Sequence, residues 1–465
     1  MPAFGKVDAA VLSQLREVFD AEDLLTDPGE CATYGYDNSR RRAVPDAVVF
    51  PRREDQVSAL ALLCSQRRIP LVARGRGTGT TGATVPTDAG VVISFERMRR
   101  ILSIDPANRL MIVEPGVTNA EVQVAAAEHG FFWPPDPTSA AVCTIGGNLA
   151  YNSAGPRAVK YGTPRDNTLG LRVVTGDGRR LKTGVSTTKG VVGYDLTRLI
   201  IGSEGTLALI TEATLKLTPL PQAKLGLRAI YRDMHAAANA VARIMAQPVT
   251  PCALEFIDAH ALDLVRRRGA DIETEAGGML MIEVDGPASC IADAADAVAA
   301  AAQVDGALEV RIAHDTDELA RLWAARKALS PALRGIAPKK INEDVVVPVS
   351  HIPTLIDGLD HLSDEFGIPI VNFGHAGNGN IHVNLLYDAA NAVHAANADA
   401  CLDRVFELVL ELDGTISGEH GIGLVKRDFV AREIAPVALD LMRAIKAQFD
   451  PAGILNPGKA IPEID

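Results

Sequence analysis

Two histidines and a downstream Glu-His pair carry the strongest chemical signal in the chain. Residues 371–384 read VNFGHAGNGNIHVN, so that His375 and His382 bracket Ala376, Gly377, Asn378, Gly379 and Asn380. Seven residues along a straight strand would put the two imidazoles on opposite faces, because strand side chains alternate. The intervening glycines permit a tight turn, and a hairpin built on them can bring both rings to one point. Glu419 and His420 stand in a second glycine-flanked run, SGEHGIG at 417–423. Two imidazoles and a carboxylate form a three-ligand set for a divalent transition metal that keeps positions open for substrate. That arrangement leaves His420 to act as a base. A lone histidine is more often a satisfied core residue, but the HxxxxxxH spacing combined with a glycine-set Glu-His outweighs that reading.

A second candidate binds anions. Residues 73–83 read ARGRGTGTTGA, in which Gly77, Gly79 and Gly82 match GxGxxG, with Glu96 near the offset of a ribose-binding acid. A Rossmann fingerprint must open a helix. Here Pro86, Asp88 and Gly90 interrupt the chain and 91–95 already reads as a strand. What remains is a glycine-rich loop with exposed backbone N–H groups, flanked by Arg74 and Arg76, that can cradle a pyrophosphate without a helix dipole. Further on, 134–167 is expected to be a long ordered loop system of low regularity, and such loops usually have a function. Within it Gly146-Gly147-Asn148 and Asn152-Ser153-Ala154-Gly155 offer close backbone approach and hydrogen-bonding side chains.

The elements that must position these groups fall into separate regions. A strand at 46–51, a helix at 54–68 with Val57, Leu60, Ala61 and Cys64 at helical spacing, and a strand at 69–73 predict an α/β layer. Thr118 and Glu121 form a capping box for a helix over 119–129. Strands at 171–175 and 180–183 are joined through Gly176-Asp177-Gly178, and Pro219 and Pro221 close the region after an alternating strand at 210–217. From Lys224 onward, strands at 225–231, 279–283, 309–312 and 341–347 alternate with helices at 234–245, 291–304, 317–333 and 395–412. That order predicts an α+β domain with an antiparallel sheet. The expected domains are 1–221, 222–412 with the histidine hairpin, and a returning segment 413–465 whose stretch 445–457 is turn-rich.

Composition narrows the partners. A chain of 465 residues is too long for one hydrophobic core. The net charge of −12 argues against nucleic acid and against an anionic membrane surface, though not against a small acidic substrate. The six cysteines are isolated, with no CxxC pair, which suggests free thiols in a reducing compartment rather than an iron–sulfur or structural zinc site. The N-terminus reads as an amphipathic helix rather than a signal peptide, and no apolar run approaches the ~18 residues of a membrane span. A cytoplasmic protein is expected, with peripheral attachment to the inner face of the membrane as the variant.

Six segments in order, ARGRGTGTTGA, PPDPTSAAVCTIGGNLAYNSAGPRAVKYGTPRDN, IGSEGTLALITEATLKLTPLP, GHAGNGNIHVN, SGEHGIG and ILNPGK, resemble the FAD-linked oxidase family with the vanillyl-alcohol-oxidase type of flavin domain. Within it the likeness is to D-lactate dehydrogenases, the large flavin subunit of bacterial glycolate oxidase, and D-2-hydroxyglutarate dehydrogenases. It covers roughly residues 46–459. The resemblance implies an α+β protein with a two-part FAD-binding domain and an α+β substrate (cap) domain. It implies that Arg74, Gly75, Gly77, Thr78, Gly79 and Thr80 hold the FAD pyrophosphate. Pro137, Thr138, Gly146, Gly147, Asn148, Asn152, Ser153 and Gly155 would wrap the rest of the flavin, with Glu204, Gly205, Ile210 and Asn456 completing the pocket. It implies zinc or manganese on His375, His382 and Glu419, His420 as base, Arg326 clamping the substrate carboxylate, and Asn384 nearby. The implied reaction is oxidation of a small D-2-hydroxy acid, D-lactate or glycolate, to the 2-oxo acid.

Departures from the hydroxyglutarate enzymes guide the choice of substrate. Asn342 stands where the resemblance places a lysine, Ser330 where it places threonine, and Lys339 and Lys340 are near but out of register. This tilts the reading away from D-2-hydroxyglutarate, the main alternative. Two readings of other classes are a metal hydrolase with purely structural glycine loops, which would be colourless, and a non-catalytic flavoprotein subunit. The electron acceptor is left among a quinone, a cytochrome and a partner flavoprotein or iron–sulfur subunit, with a homodimer as a candidate assembly. Covalent-flavin relatives use a His or Cys near the glycine loop, and ARGRGTGTTGA has neither. The purified protein should therefore be yellow, and acid or denaturant should release the flavin into the supernatant; colour that stays with the precipitate would contradict dissociable FAD.

Overall fold

Short β-branched runs flanked by turn residues pair into separate sheets, each with its own core. The computed structural model describes residues 3–267, 275–313, 323, 329 and 333–462. The chain forms two compact units. One comprises Met1–Gly155, Gly162–Leu220 and Glu419–Asp465; the other comprises Pro156–Tyr161 and Pro221–Gly418.

The first unit contains β1 (Leu24–Leu25), β2 (Ala47–Val49), β3 (Leu71–Arg74) and β4 (Val91–Ser94) in the order β1-β2-β4-β3. Strands β2 and β3 both run parallel to β4. Strands β2 and β4 are buried along their whole length, as the uninterrupted apolar runs of parallel strands require. The crossover helix Glu54–Arg67 buries Val57, Leu60, Ala61 and Cys64, carries Glu54 and Asp55 in its first turn, and ends at Arg68 in the left-handed conformation. No helix follows Gly82, and β4 begins at Val91, so the glycine loop lies between two parallel strands.

A second sheet of this unit is built from β5 (Ile101–Asp105), β6 (Leu110–Val113), β8 (Thr168–Thr175), β9 (Arg180–Gly184) and β10 (Ala208–Lys216). Its order is β5-β6-β10-β8-β9, and β7 (Phe131–Phe132) pairs separately with β11 (Thr218–Pro219). Trp133 is fully buried in the adjoining core, and its indole N–H donates to the Asn167 carbonyl at 2.9 Å.

Two stretches differ from expectation. Residues 134–167 are not irregular throughout, since they contain the helices Ile145–Tyr151 and Ala158–Tyr161. Gly146 and Gly147 were read as points of close backbone approach within an irregular stretch, and a Cβ on Gly146 would lie 2.7 Å from Pro115 Cβ, so close packing demands glycine inside this helix. The Thr144 side chain caps it by accepting from the Gly147 N–H. In the tail, the helix Pro436–Phe449 occupies residues expected to begin a turn-rich segment, and the turns start only at Asp450. Proline at the first turn of that helix is compatible with it, because the N–H it lacks has no intrahelical partner there.

The second unit is a seven-stranded sheet of β12 (Ala223–Tyr231), β13 (Ala253–Asp258), β14 (Gly278–Gly286), β15 (Ala307–Ile312), β16 (Lys339–Val346), β17 (Ile370–His375) and β18 (Asn380–Tyr387). The order is β15-β12-β14-β13-β17-β18-β16. All neighbours are antiparallel. Strand β13 was not expected, because Glu255 and Asp258 interrupt its apolar pattern; both are buried. The helices Met234–Ala246, Ile291–Ala302, Ile352–Phe366 and Ala392–Glu411 pack on this sheet. Helix Ile352–Phe366 buries Ile352, Leu355, Ile356, Leu359 and Leu362, one stripe at helical spacing, and ends at Gly367 with φ 62°. Of the helix expected over 317–333, all but Trp323, Leu329 and Leu333 lies outside the described residues.

Leu359 is fully buried in that stripe. Leu359→Ala should cost about 2–5 kcal/mol of unfolding free energy, measured by urea denaturation. A change below about 1 kcal/mol would show that this helix does not carry the core of its unit.

Candidate active site

In the first unit, strand β3 delivers Arg74 and Gly75 to one wall of a cleft. Gly146, Gly147, Glu204, Gly205 and Ile210 from the sequence-implied set also line it. Phe95, Pro115, Thr144, Ala150, Tyr151 and Ser203 line it as well, and the sequence did not single them out. Thr144 had a usable signal, since a threonine before a helical run is a capping residue. The apolar lining residues have no such signature.

The glycine loop is shaped by close approach. A Cβ on Gly75 would stand 2.4 Å from Thr144 Oγ1, and one on Gly77, at φ 64°, would stand 2.4 Å from Arg74 Nη2. The Arg74 guanidinium is buried beneath the loop, where Nη1 donates to the Tyr36 carbonyl at 2.6 Å. Burial holds its pKa below the ordinary arginine value. The loop is pinned through its carbonyls: Asn38 Nδ2 donates to Thr78 at 3.2 Å and the Asn38 N–H to Gly79 at 2.9 Å. Among the described residues, none of the N–H groups from Arg76 to Thr80 donates a hydrogen bond. Consecutive N–H groups without an acceptor on a pinned loop are the kind of donors that a diphosphate takes.

Other members of the implied set hold the frame. Asn148 Nδ2 donates to Ser153 Oγ at 3.3 Å, and Asn152, in the left-handed conformation, ends the Ile145–Tyr151 helix. Pro137 is buried and Thr138 exposed. The Gly155 N–H donates to Glu419 Oε2 at 2.9 Å, which fixes that carboxylate within the first unit.

Glu204 is the buried anchor of the C-terminal return. It accepts the Ile422 N–H at 2.6 Å and the Gly423 N–H at 2.8 Å, while Asn456 Nδ2 donates to its carbonyl at 2.7 Å. Burial pushes the Glu204 carboxyl up to about 7 despite those donors, and burial pulls Lys459 down to about 8. Asn456 Oδ1 is buried with no hydrogen-bond partner among the described residues. The same return sets His420, whose carbonyl accepts Thr81 Oγ1 at 3.4 Å.

In the second unit, β17 and β18 form the expected hairpin, turned through the 3₁₀ turn Ala376–Asn378 and Gly379 at φ 72°. His375 faces Asn380 and His382 faces Phe373 across the ladder. The two imidazoles are buried, with ring centroids 5.2 Å apart at an interplanar angle of 83°. A ring nitrogen of each lies within 4.8 Å of one on the other. Glu255, at the matching position of β13, contacts His375 Nδ1.

The neighbouring strand β16 pairs Asp344 with His382 and Asn342 with Asn384. Fully buried Asp344 accepts Ser417 Oγ at 3.1 Å and the Gly418 N–H at 3.0 Å, so the segment just before Glu419 is fastened beside His382. Asn384 is fully buried and donates to the Val371 and His382 carbonyls at 3.0 and 3.1 Å. Its Oδ1 receives Asn342 Nδ2 at 2.9 Å and Lys340 Nζ at 3.4 Å. Lys340 and Asn342 thus converge on one carboxamide, although Lys340 had been read as out of register. Arg326 and Ser330 lie outside the described residues.

The raised carboxyl of Glu204 has a consequence for stability. The folded protein keeps this proton up to about pH 7, whereas a carboxyl in the unfolded chain loses it near its ordinary value of 4.5. Proton binding then favours the folded state in between, so stability should fall as pH rises through about 7. Urea unfolding of flavin-free protein from about pH 5 to about pH 8 should show this decline, and Glu204→Gln should make it shallower, leaving the part due to Asp258, which burial raises to about 6. An equal slope in the variant would place the titration elsewhere.

The description "FAD binding domain" matches residues 45–184, and "FAD linked oxidases, C-terminal domain" matches 220–460. The chain is 39% identical over 451 residues to glycolate oxidase subunit GlcD of Bacillus subtilis, covering 97% of this chain and 96% of that one. It is 36% identical over 462 residues to a D-lactate dehydrogenase of Archaeoglobus fulgidus, covering 97% and 98%. Its fold is that of p-cresol methylhydroxylase, with a TM-score of 0.79 at 18% identity over 97% of this chain and 96% of that chain, which is the vanillyl-alcohol-oxidase type. The hydrolase alternative falls with the flavin-domain match. Among the described residues no helix is long and apolar enough to cross a membrane. The chain belongs to the FAD-linked oxidase family and is an FAD-linked oxidoreductase.

Proposed function

We propose that this chain oxidises a small D-2-hydroxymonocarboxylate, of the D-lactate or glycolate type, to the 2-oxo acid. The observation that carries the reading is the buried His375–His382 pair on one hairpin, with Gly418 fastened to Asp344 directly across from His382. Glu419 is one peptide bond further on, so His375, His382 and Glu419 would hold a divalent cation, zinc or manganese. Two neutral imidazoles and one carboxylate suit such an ion. When bound, the ion would supply positive charge that makes a hydroxyl beside it more acidic. FAD bound in the cleft of the first unit would take up the hydride from C2 of the substrate.

The chain's own residues divide the remaining work. His420, whose carbonyl accepts from Thr81 Oγ1, would receive the hydroxyl proton. Arg326 offers a planar fork to the substrate carboxylate. Asn384 is held rigid by four hydrogen bonds and sits two residues from His382 on the same strand face. The Bacillus and Archaeoglobus relatives, by their names, support a 2-hydroxy acid as the substrate class.

A second reading has its own support. Lys340 Nζ reaches Asn384, so an ammonium is available where a second carboxylate could bind, and that favours D-2-hydroxyglutarate. Catalytic efficiencies for D-lactate, glycolate and D-2-hydroxyglutarate should be compared in one assay with an artificial electron acceptor. A monocarboxylate should win by about 10³-fold, because the Lys340 ammonium is already engaged by Asn384 Oδ1, and a distal carboxylate buried without its own cationic partner is strongly disfavoured. If hydroxyglutarate wins and Lys340→Ala erases that preference, the monocarboxylate assignment is overturned.

A further inference from the structure

We infer that Glu255 is a positioning residue that locks the tautomer and orientation of His375, presenting its Nε2 as a metal-binding atom; the inference rests on the metal reading above. Glu255 lies in β13, directly opposite His375 in β17. It is 1% exposed, in a strand whose other inward neighbours are apolar, and its Oε1 contacts His375 Nδ1. A carboxylate is expensive to bury, and a hydrogen-bond donor is the main compensation.

The chemistry of that contact is one-directional. An ionised carboxylate only accepts, so the Nδ1 facing it carries the hydrogen. Nε2 is then left with its lone pair, as a neutral imidazole ligand requires. Without the carboxylate, that preference for hydrogen on Nδ1 would be lost. The backbone alone does not fix the ring's orientation, because His375 is the last residue of β17, where the chain leaves the sheet for the turn. His382 has its own neighbour, Phe373, whose ring centroid is 6.0 Å away.

The test uses the full-length flavin-loaded protein, stripped of metal by a chelator and titrated with Zn²⁺ against a competing indicator. Glu255→Gln keeps the volume and an acceptor oxygen but loses the charge. It should weaken Zn²⁺ binding about 10–100-fold while flavin content and the melting temperature of the metal-free protein stay unchanged. Independently of any variant, ¹⁵N-histidine spectra of metal-free wild-type protein should show His375 with hydrogen on Nδ1, assigned by the signal missing from His375→Asn. Wild-type protein that binds neither Zn²⁺ nor Mn²⁺ would overturn the metal reading, and this inference with it. Wild-type binding with unchanged affinity in Glu255→Gln, or a His375 ring with hydrogen on Nε2, would overturn the role of Glu255 alone. Loss of Zn²⁺ binding beyond about 10³-fold, with the His375 tautomer intact, would make Glu255 a ligand and equally overturn a positioning role.

Discussion

A carboxylate removed from water must find donors, and three such groups organise this protein. Glu204 gathers the Ile422 and Gly423 N–H groups, Asp344 gathers Ser417 and Gly418, and Glu255 takes the His375 ring. Each is at most 6% exposed. Leaving any of them unpaired costs several kcal/mol, comparable to the whole stability of a domain. Glu204 and Asp344 fix the segment that carries Glu419 and His420 from either side along the chain. The chain on each side of Glu419 and His420 is therefore held by the same interactions that make burial of these acids tolerable.

Much of this was legible because the relevant signals are local. The HxxxxxxH spacing with glycines between implies a hairpin on steric grounds, and the ladder pairs those strands in the register that puts His375 and His382 on one face. The rejected Rossmann match rested on Pro86, Asp88 and Gly90, and the chain indeed enters β4 without a helix. The capping box at Thr118 and Glu121 is present with both of its reciprocal bonds.

What was hidden depends on distant partners. Strand β13 is broken as a pattern by Glu255 and Asp258, and only the structure shows that a histidine more than a hundred residues later and the Asn372 N–H receive them. Gly146 and Gly147 read as loop residues because propensity is a weak prior, while Pro115, brought in by another strand, demands a residue without a side chain. Lys340 is out of register by linear offset but lies two residues from Asn342 on one strand face, and its ammonium reaches the same Asn384 carboxamide. Arg74 reads as a phosphate ligand by type, yet its guanidinium also holds Tyr36 beneath the loop.

The bridge from Leu455 to β3 has a consequence for how the protein is made. Leu455 bridges Leu71 of β3 in parallel, the Asn456 N–H donates to the Leu71 carbonyl, and Ile454 and Leu455 are fully buried in the core that contains Leu60 and Ile93. The first sheet is thus closed by residues synthesised long after its own strands. The seven-stranded sheet needs nothing beyond Gly418 and can form earlier in synthesis. Until Ile454 and Leu455 have been made, the glycine loop is attached to a sheet whose β3 edge they do not yet cover.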